Sequence, residues 1–137
     1  MDMKLELVAV PVSDVDRAKA FYREQLEFRE DVDTQVKGVG RIVQLTPPGS
    51  ACSIVLGLDI PTMAPGSSQG MLLVVSDIQA ARAELFDRGV EIGEVQHLDR
   101  DSGSWVNGAV DLPYESFARF SDPDGNGWAL QGVPARS

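Results

Sequence analysis

The chain is written twice. Val12-Ser13-Asp14 returns as Val75-Ser76-Asp77, 63 residues on, with Ala18 falling on Ala81 and Lys19 on Arg82. Farther along, Pro47-Pro48-Gly49 returns as Pro123-Asp124-Gly125, 76 residues on. The offsets differ by 13 residues, and the insertion is expected in the polar, glycine-containing stretch His97–Pro113. Self-similarity of this kind marks one supersecondary unit used twice. A unit of about 60 residues leaves a sheet face uncovered, so two units are expected to bury one together.

Each half reads strand–helix–strand–strand–strand. In the first, Leu5 to Val12 is apolar and β-branched, with Pro11 near the strand's end because it lacks a ladder donor. Ser13 is the expected N-cap of a helix whose apolar face is Val15, Ala18, Phe21, Tyr22 and Leu26. Strands are expected near Phe28, over Arg41–Leu45 and over Ala51–Leu58, and residues 59–69 read as a linker. In the second half, Met71–Val75 is a strand and Ser76-Asp77-Ile78-Gln79 has the form of a capping box. Ile78, Ala81, Leu85 and Phe86 give a helix face closed by Gly89. Val90–Val95 reads as a strand, His97–Pro113 as a long loop or lid, and Ala118–Leu130 as a hairpin. The expected domain is single and spans 1–137, as module 1–58 and module 70–137 joined by linker 59–69.

Lys plus Arg is 12 against 21 for Asp plus Glu, a net charge of −9. That balance speaks against nucleic acid and against anionic membrane surfaces as partners. No apolar run approaches the roughly 20 residues of a membrane span, and the N-terminus has no apolar signal region. The single cysteine, Cys52, reads as a small buried hydrophobe, and a reducing cytoplasm is the expected setting. No nucleophile elbow and no phosphate-binding glycine loop is present.

Val10-Pro-Val-Ser-Asp-Val-Asp-Arg-Ala-Lys-Ala-Phe-Tyr22, the repeated Val-Val-Ser-Asp77 and Asp122-Pro-Asp-Gly-Asn126 together resemble the vicinal oxygen chelate superfamily. Its members include glyoxalase I, bleomycin-resistance proteins, fosfomycin-resistance enzymes and extradiol dioxygenases. The resemblance implies an α+β fold of two βαβββ modules, sheets curved around a central cavity, and a homodimer. It also implies, for the metalloenzymes, a divalent ion held by one inward residue from each of four strands. Carried over residue by residue, those positions are Leu7, Ser53, Gly70 and Ala129. None is an imidazole or a carboxylate, and divalent metals want N, O⁻ or S⁻ donors. No metal and no cofactor is therefore expected.

What remains is a lined cavity. With Leu7 and Ala129 inward as the resemblance implies, strand alternation puts Leu5 and Ala9, then Gly127 and Gln131, on the cavity side and Trp128 on the opposite side toward a helix; the resemblance itself implies Phe117 and Arg119, five and three residues before Asp122, as inward positions. The expected ligand-binding set is Leu7, Ser53, Trp105, Phe117, Arg119, Ala129 and Gln131, suited to a flat apolar small molecule with an acid or carbonyl group. Catalytic residues are unassigned. The leading expectation is a metal-free binding protein acting in sequestration, resistance or sensing. The alternative is a lyase, isomerase or dioxygenase, using a metal held by other residues or acid–base chemistry at Arg119 or His97. A third is a module with a filled cavity acting through a dimer interface. Trp105 could stack on a ligand or lie in a solvated loop, and Arg119 could instead pair with a carboxylate.

Overall fold

The computed structural model describes residues 1–58 and 62–133; positions 59–61 of the expected linker and 134–137 lie outside the described residues. The chain divides into two compact units, 1–68 with 122–126 and 69–121 with 127–137.

The first unit contains β1 (Leu7–Ala9), α1 (Val15–Ala20), β2 (Arg29–Val36), β3 (Gly40–Thr46) and β4 (Ser53–Leu56), in a sheet ordered β1-β4-β3-β2. β1 runs parallel to β4 with Leu7 opposite Ser53, and the other pairs are antiparallel. α1 lies on the face that carries Asp33, Arg41, Val43 and Leu45. Two helix-to-sheet ion pairs show this: Lys19 Nζ reaches Asp33 at 2.6 Å, and Asp16 pairs with Arg41, which also holds Asp33 within the sheet. Arg41 and then Lys19 hold the Asp33 carboxyl well below the usual carboxylate range. Beneath these pairs Val43, Leu45, Ile54 and Leu56 are buried with Ala18, Phe21 and Tyr22. Each of the Val, Leu, Ile and Phe side chains among them contributes about 1.5–3 kcal/mol by leaving water. The opposite face carries Leu7, Ser53, Ile42, Gln44 and Thr46.

The expected helix is correct in place but not in form. Ser13 is not its N-cap: Asp14 accepts the Arg17 N–H at 3.1 Å, while Ser13 gives its N–H (3.1 Å) and its hydroxyl (2.5 Å) to Asp124 Oδ1. After Ala20 the helix widens into a π-turn, Phe21–Gln25, closed by Leu26 N–H on Phe21 O at 3.2 Å and Phe28 N–H on Tyr22 O at 2.9 Å. Glu27 then takes φ +58°, in the left-handed region.

The second unit contains β5 (Met71–Val75), α2 (Ile78–Asp87), β6 (Gln96–Asp99), β7 (Ser104–Asn107), β8 (Ser116–Ser121) and β9 (Gly127–Gly132), ordered β5-β9-β8-β6-β7. β5 runs parallel to β9, as β1 does to β4. Here too the aspartate, not the serine, is the cap: Asp77 accepts the Ala80 N–H at 3.0 Å. Gly89, at φ +89°, ends the helix with Val90 N–H bonding Leu85 O. α2 covers the face bearing Trp128, Leu130 and Gly132, where Ile78 packs directly against Gly132. Residues 90–95 form no strand, and His97–Pro113 is not simply a loop. Its first part is the antiparallel hairpin β6–β7, with Leu98 opposite Trp105. β7 has no counterpart in the first sheet, so the insertion is an extra edge strand.

The turn between β8 and β9 groups with the first unit. Asp122, 5% exposed, collects four donors: the Asp124 and Asn126 N–H groups (both 2.9 Å), the Asn126 side-chain amide and the Tyr22 hydroxyl (both 2.7 Å). Asn126, fully buried, also donates to Pro11 O at 2.8 Å and accepts from Ser68 N–H at 3.0 Å. Removing the carboxylate would orphan several buried donors, each costing about 1–3 kcal/mol. Asp122→Ala is expected to lower the urea midpoint by the equivalent of about 3 kcal/mol or more, and Tyr22→Phe by about 1–2 kcal/mol, since only one donor to the carboxylate is lost. Glu27→Gly should raise stability by about 0.5–1 kcal/mol, relief of left-handed strain outweighing the greater freedom of glycine in the unfolded chain.

Candidate functional site

In the second unit the face turned away from α2 follows from the register. Phe117 lies opposite Gln131 and Gln96, and Arg119 lies opposite Ala129. Opposed residues share a face, so Leu72, Leu98, Trp105, Phe117, Arg119, Ala129 and Gln131 line one side. Trp128 is on the other side, 5% exposed and stacked on Phe120 at 6.3 Å between centroids, as alternation requires.

Arg119 is the centre of that face. Its guanidinium sits 4.3 Å from the Trp105 ring centroid and 5.6 Å from that of Phe117. The two rings meet edge to face at 5.6 Å. Among the described residues no carboxylate pairs with Arg119. The guanidinium is exposed and held by ring faces, so its five donors stay available to an anion or carbonyl. Trp105 is 44% exposed and owes its place to the β6–β7 hairpin rather than to a mobile loop. Gln131 is half-buried and donates to Tyr114 O at 3.1 Å. Beside this cluster a groove of about 360 Å³ is lined by Gln69, Leu72, Phe117, Arg119, Gly127 and Ala129. The Gln69 side chain lies over Gly127, in the space a Cβ there would need.

The first unit brings Leu7 and Ser53 side by side, with Ser53 buried. In the second unit the corresponding pair is Leu72 and Ala129; Gly70 lies one residue before β5. None of Leu7, Ser53, Gly70, Leu72 and Ala129 carries a charged or imidazole donor. Among the described residues no three of His, Cys, Asp and Glu are grouped so as to hold a metal ion. The residues present do not fit the metal that enzymes of the resembled superfamily use.

His97 faces the side away from Arg119, opposite Ser116, and its Nδ1 is 2.8 Å from Gly108 O. Asp99 is committed to Ser102 and the Asp101 N–H, which hold its carboxyl below the usual range. Neither forms a cluster with Arg119. Cys52 is only half-buried, just before β4, with its Sγ 3.7 Å from Ser53 O. One polar group escaped the sequence reading: Gln44 beside Ser53 on the face of the first sheet turned away from α1. Alternation along Arg41–Leu45 was the available signal for it.

Comparison with known proteins agrees with this architecture. The family profile of the Glyoxalase/Bleomycin resistance protein/Dioxygenase superfamily matches residues 4–130. Against curated proteins the chain has no significant match. Among solved structures it is similar to TnmS3, an antibiotic binding protein from Streptomyces sp. CB03234, at 36% identity and a TM-score of 0.77, over 96% of this chain and 97% of that one. A glyoxalase/bleomycin resistance protein from the same strain is 39% identical, with a TM-score of 0.71, over 91% and 96%. A superfamily member from Sphaerobacter thermophilus DSM 20745 is 28% identical, with a TM-score of 0.74, over 96% and 98%. A profile match over nearly the whole chain, with relatives of this identity and coverage, places the protein: it belongs to the Glyoxalase/Bleomycin resistance protein/Dioxygenase superfamily.

Proposed function

We propose that this protein is a metal-free binding protein for a flat, apolar or aromatic small molecule bearing an acid or carbonyl group, acting in sequestration or resistance. The observation that carries this reading is the Arg119–Trp105–Phe117 cluster on the open face of the second sheet. An aromatic ligand finds ring faces there, and its anionic or carbonyl oxygen finds a guanidinium with no carboxylate partner. Support comes also from the aliphatic and small residues at the superfamily's metal positions, and from TnmS3, which is described as an antibiotic binding protein. A homodimer is part of this reading. It would cover the exposed Leu72 (51%) and Val74 (61%), side chains that a lone chain leaves in water. The cytoplasm, where Cys52 stays reduced, is its proposed setting.

Two measurements test it. In a thermal-shift screen of aromatic antibiotics and metabolites, a ligand must raise the melting temperature by mass action. Trp105→Ala and Arg119→Ala should each weaken the best hit by about 1–2 kcal/mol, roughly five- to thirtyfold in Kd. The fold should be unchanged, because both side chains are exposed. Unchanged affinity in both variants would sink the platform model. Elemental analysis of protein purified without chelator should find divalent metal far below one per chain; a stoichiometric, tightly held ion would overturn the metal-free reading.

A further inference from the structure

The open face of the first sheet carries a chain of hydrogen bonds whose direction is determined from one end. Asp31, at the β-bulge in β2 between Glu30 and Val32, is re-aimed so that its carboxylate accepts the Thr46 hydroxyl. Arg29 pairs with the same carboxylate at 2.7 Å, and Thr46 and Arg29 together hold it ionised. A hydroxyl has one proton, and that of Thr46 is spent on Asp31. Ser53 Oγ lies 2.7 Å from Thr46 Oγ1, so Ser53 must be the donor between them. Its own proton is then spent, and toward Gln44 it can only accept. Gln44 Nε2 lies 3.3 Å from Ser53 Oγ. The order is therefore Gln44 N–H to Ser53, Ser53 O–H to Thr46, Thr46 O–H to Asp31.

This order has a consequence at the free end. An amide is nearly symmetric in shape, and its orientation is settled by its partners. Ser53 demands the nitrogen, so the Gln44 oxygen, Oε1, points away from the chain. It has no hydrogen-bond partner among the described residues. Thr46 and Ser53 are buried, whereas Gln44 is half-buried on the face opposite α1, with Leu7 and Ile42 as apolar neighbours on that face. We infer that Gln44 is a specificity residue whose Oε1 accepts a hydrogen bond from an O–H or N–H group of a small aromatic ligand, and that the Asp31–Thr46–Ser53 chain is what holds it in that orientation. The inference rests on the proposed function only in taking the ligand to be a small aromatic molecule.

The test uses two fragments of one shape, 2-naphthol and 2-methoxynaphthalene, titrated into the full-length ¹⁵N-labelled protein and followed by amide and indole resonances. The naphthol is expected to bind about five- to tenfold more tightly than the ether, from one hydrogen bond, and to shift the Gln44 side-chain amide. In Thr46→Val, which keeps the side-chain shape, the Ser53 proton is released and the Gln44 amide is free to rotate. The preference for the naphthol should then collapse while the ether binds as before. Gln44→Met, of similar length, should do the same, and covers the case in which the buried threonine variant does not fold. Equal binding of the two fragments in the unaltered protein, with the Trp105 indole shifting and Gln44 still, would overturn this inference and leave the aromatic platform standing. So would a preference that persists in both variants. If neither fragment moves any resonance, this inference and the platform fall together.

Discussion

A single buried carboxylate organises the first unit. Asp122 sits at the head of a five-residue turn and accepts from two backbone N–H groups of that turn, from Asn126 and from Tyr22. A buried carboxylate is tolerable only when its lone pairs are filled, and this one is filled by donors from widely separated parts of the chain. Through Asn126 the same knot reaches Pro11 O at the end of the first strand and the N–H of Ser68. Asp124 extends it to Ser13, just ahead of α1. The turn is far from these residues in sequence, yet the first helix, the first strand and the stretch before β5 all end on it.

Each sheet has one face under a helix and one face open, and the two open faces differ in kind. The first presents a polar file, Asp31, Thr46, Ser53 and Gln44, set among aliphatic side chains. The second presents Trp105, Phe117 and Arg119 beside Leu72 and Ala129. The helix faces are ordinary cores, close-packed and aliphatic or aromatic, and they account for the architecture. The directional polar and cation–π groups are on the other faces. Leu7 and Ser53 stand side by side in the first sheet, and Ala129 stands opposite Arg119 in the second, each on the face that carries these directional groups.

The repeat made the fold readable, because two modules with the same helix-opening and turn residues have few ways to pair their strands. Alternation from Ala129 made the sides of β9 readable too, with Trp128 toward the helix and Gln131 on the other face, while Phe117 and Arg119 were placed there by the family resemblance. Local pattern failed where a distant residue competed for the same atom. Ser13 and Ser76 precede their helices as caps should, but each is followed by an aspartate that takes the role, and Ser13's donors go to Asp124 instead. The stretch from His97 onward looked like a loop because its residues are polar and contain glycine. It pairs nonetheless as an edge hairpin, since an edge strand with one solvated face needs no apolar run.

From the sequence alone came the family and the two-module plan, since residue type and order suffice for these. Only the tertiary structure decided where protons and charges point. Asp31 is aimed by a bulge that no motif announces; Ser53 becomes a donor to Thr46 only because Asp31 claims the threonine's proton first; Gln44 turns its oxygen outward as the result. Among the described residues Arg119 has no carboxylate partner and lies against Trp105, which the hairpin brings to it. Hydrogen bonds and cation–π contacts depend on direction and on the neighbour across the sheet, and strand pairing, not strand composition, supplies that neighbour.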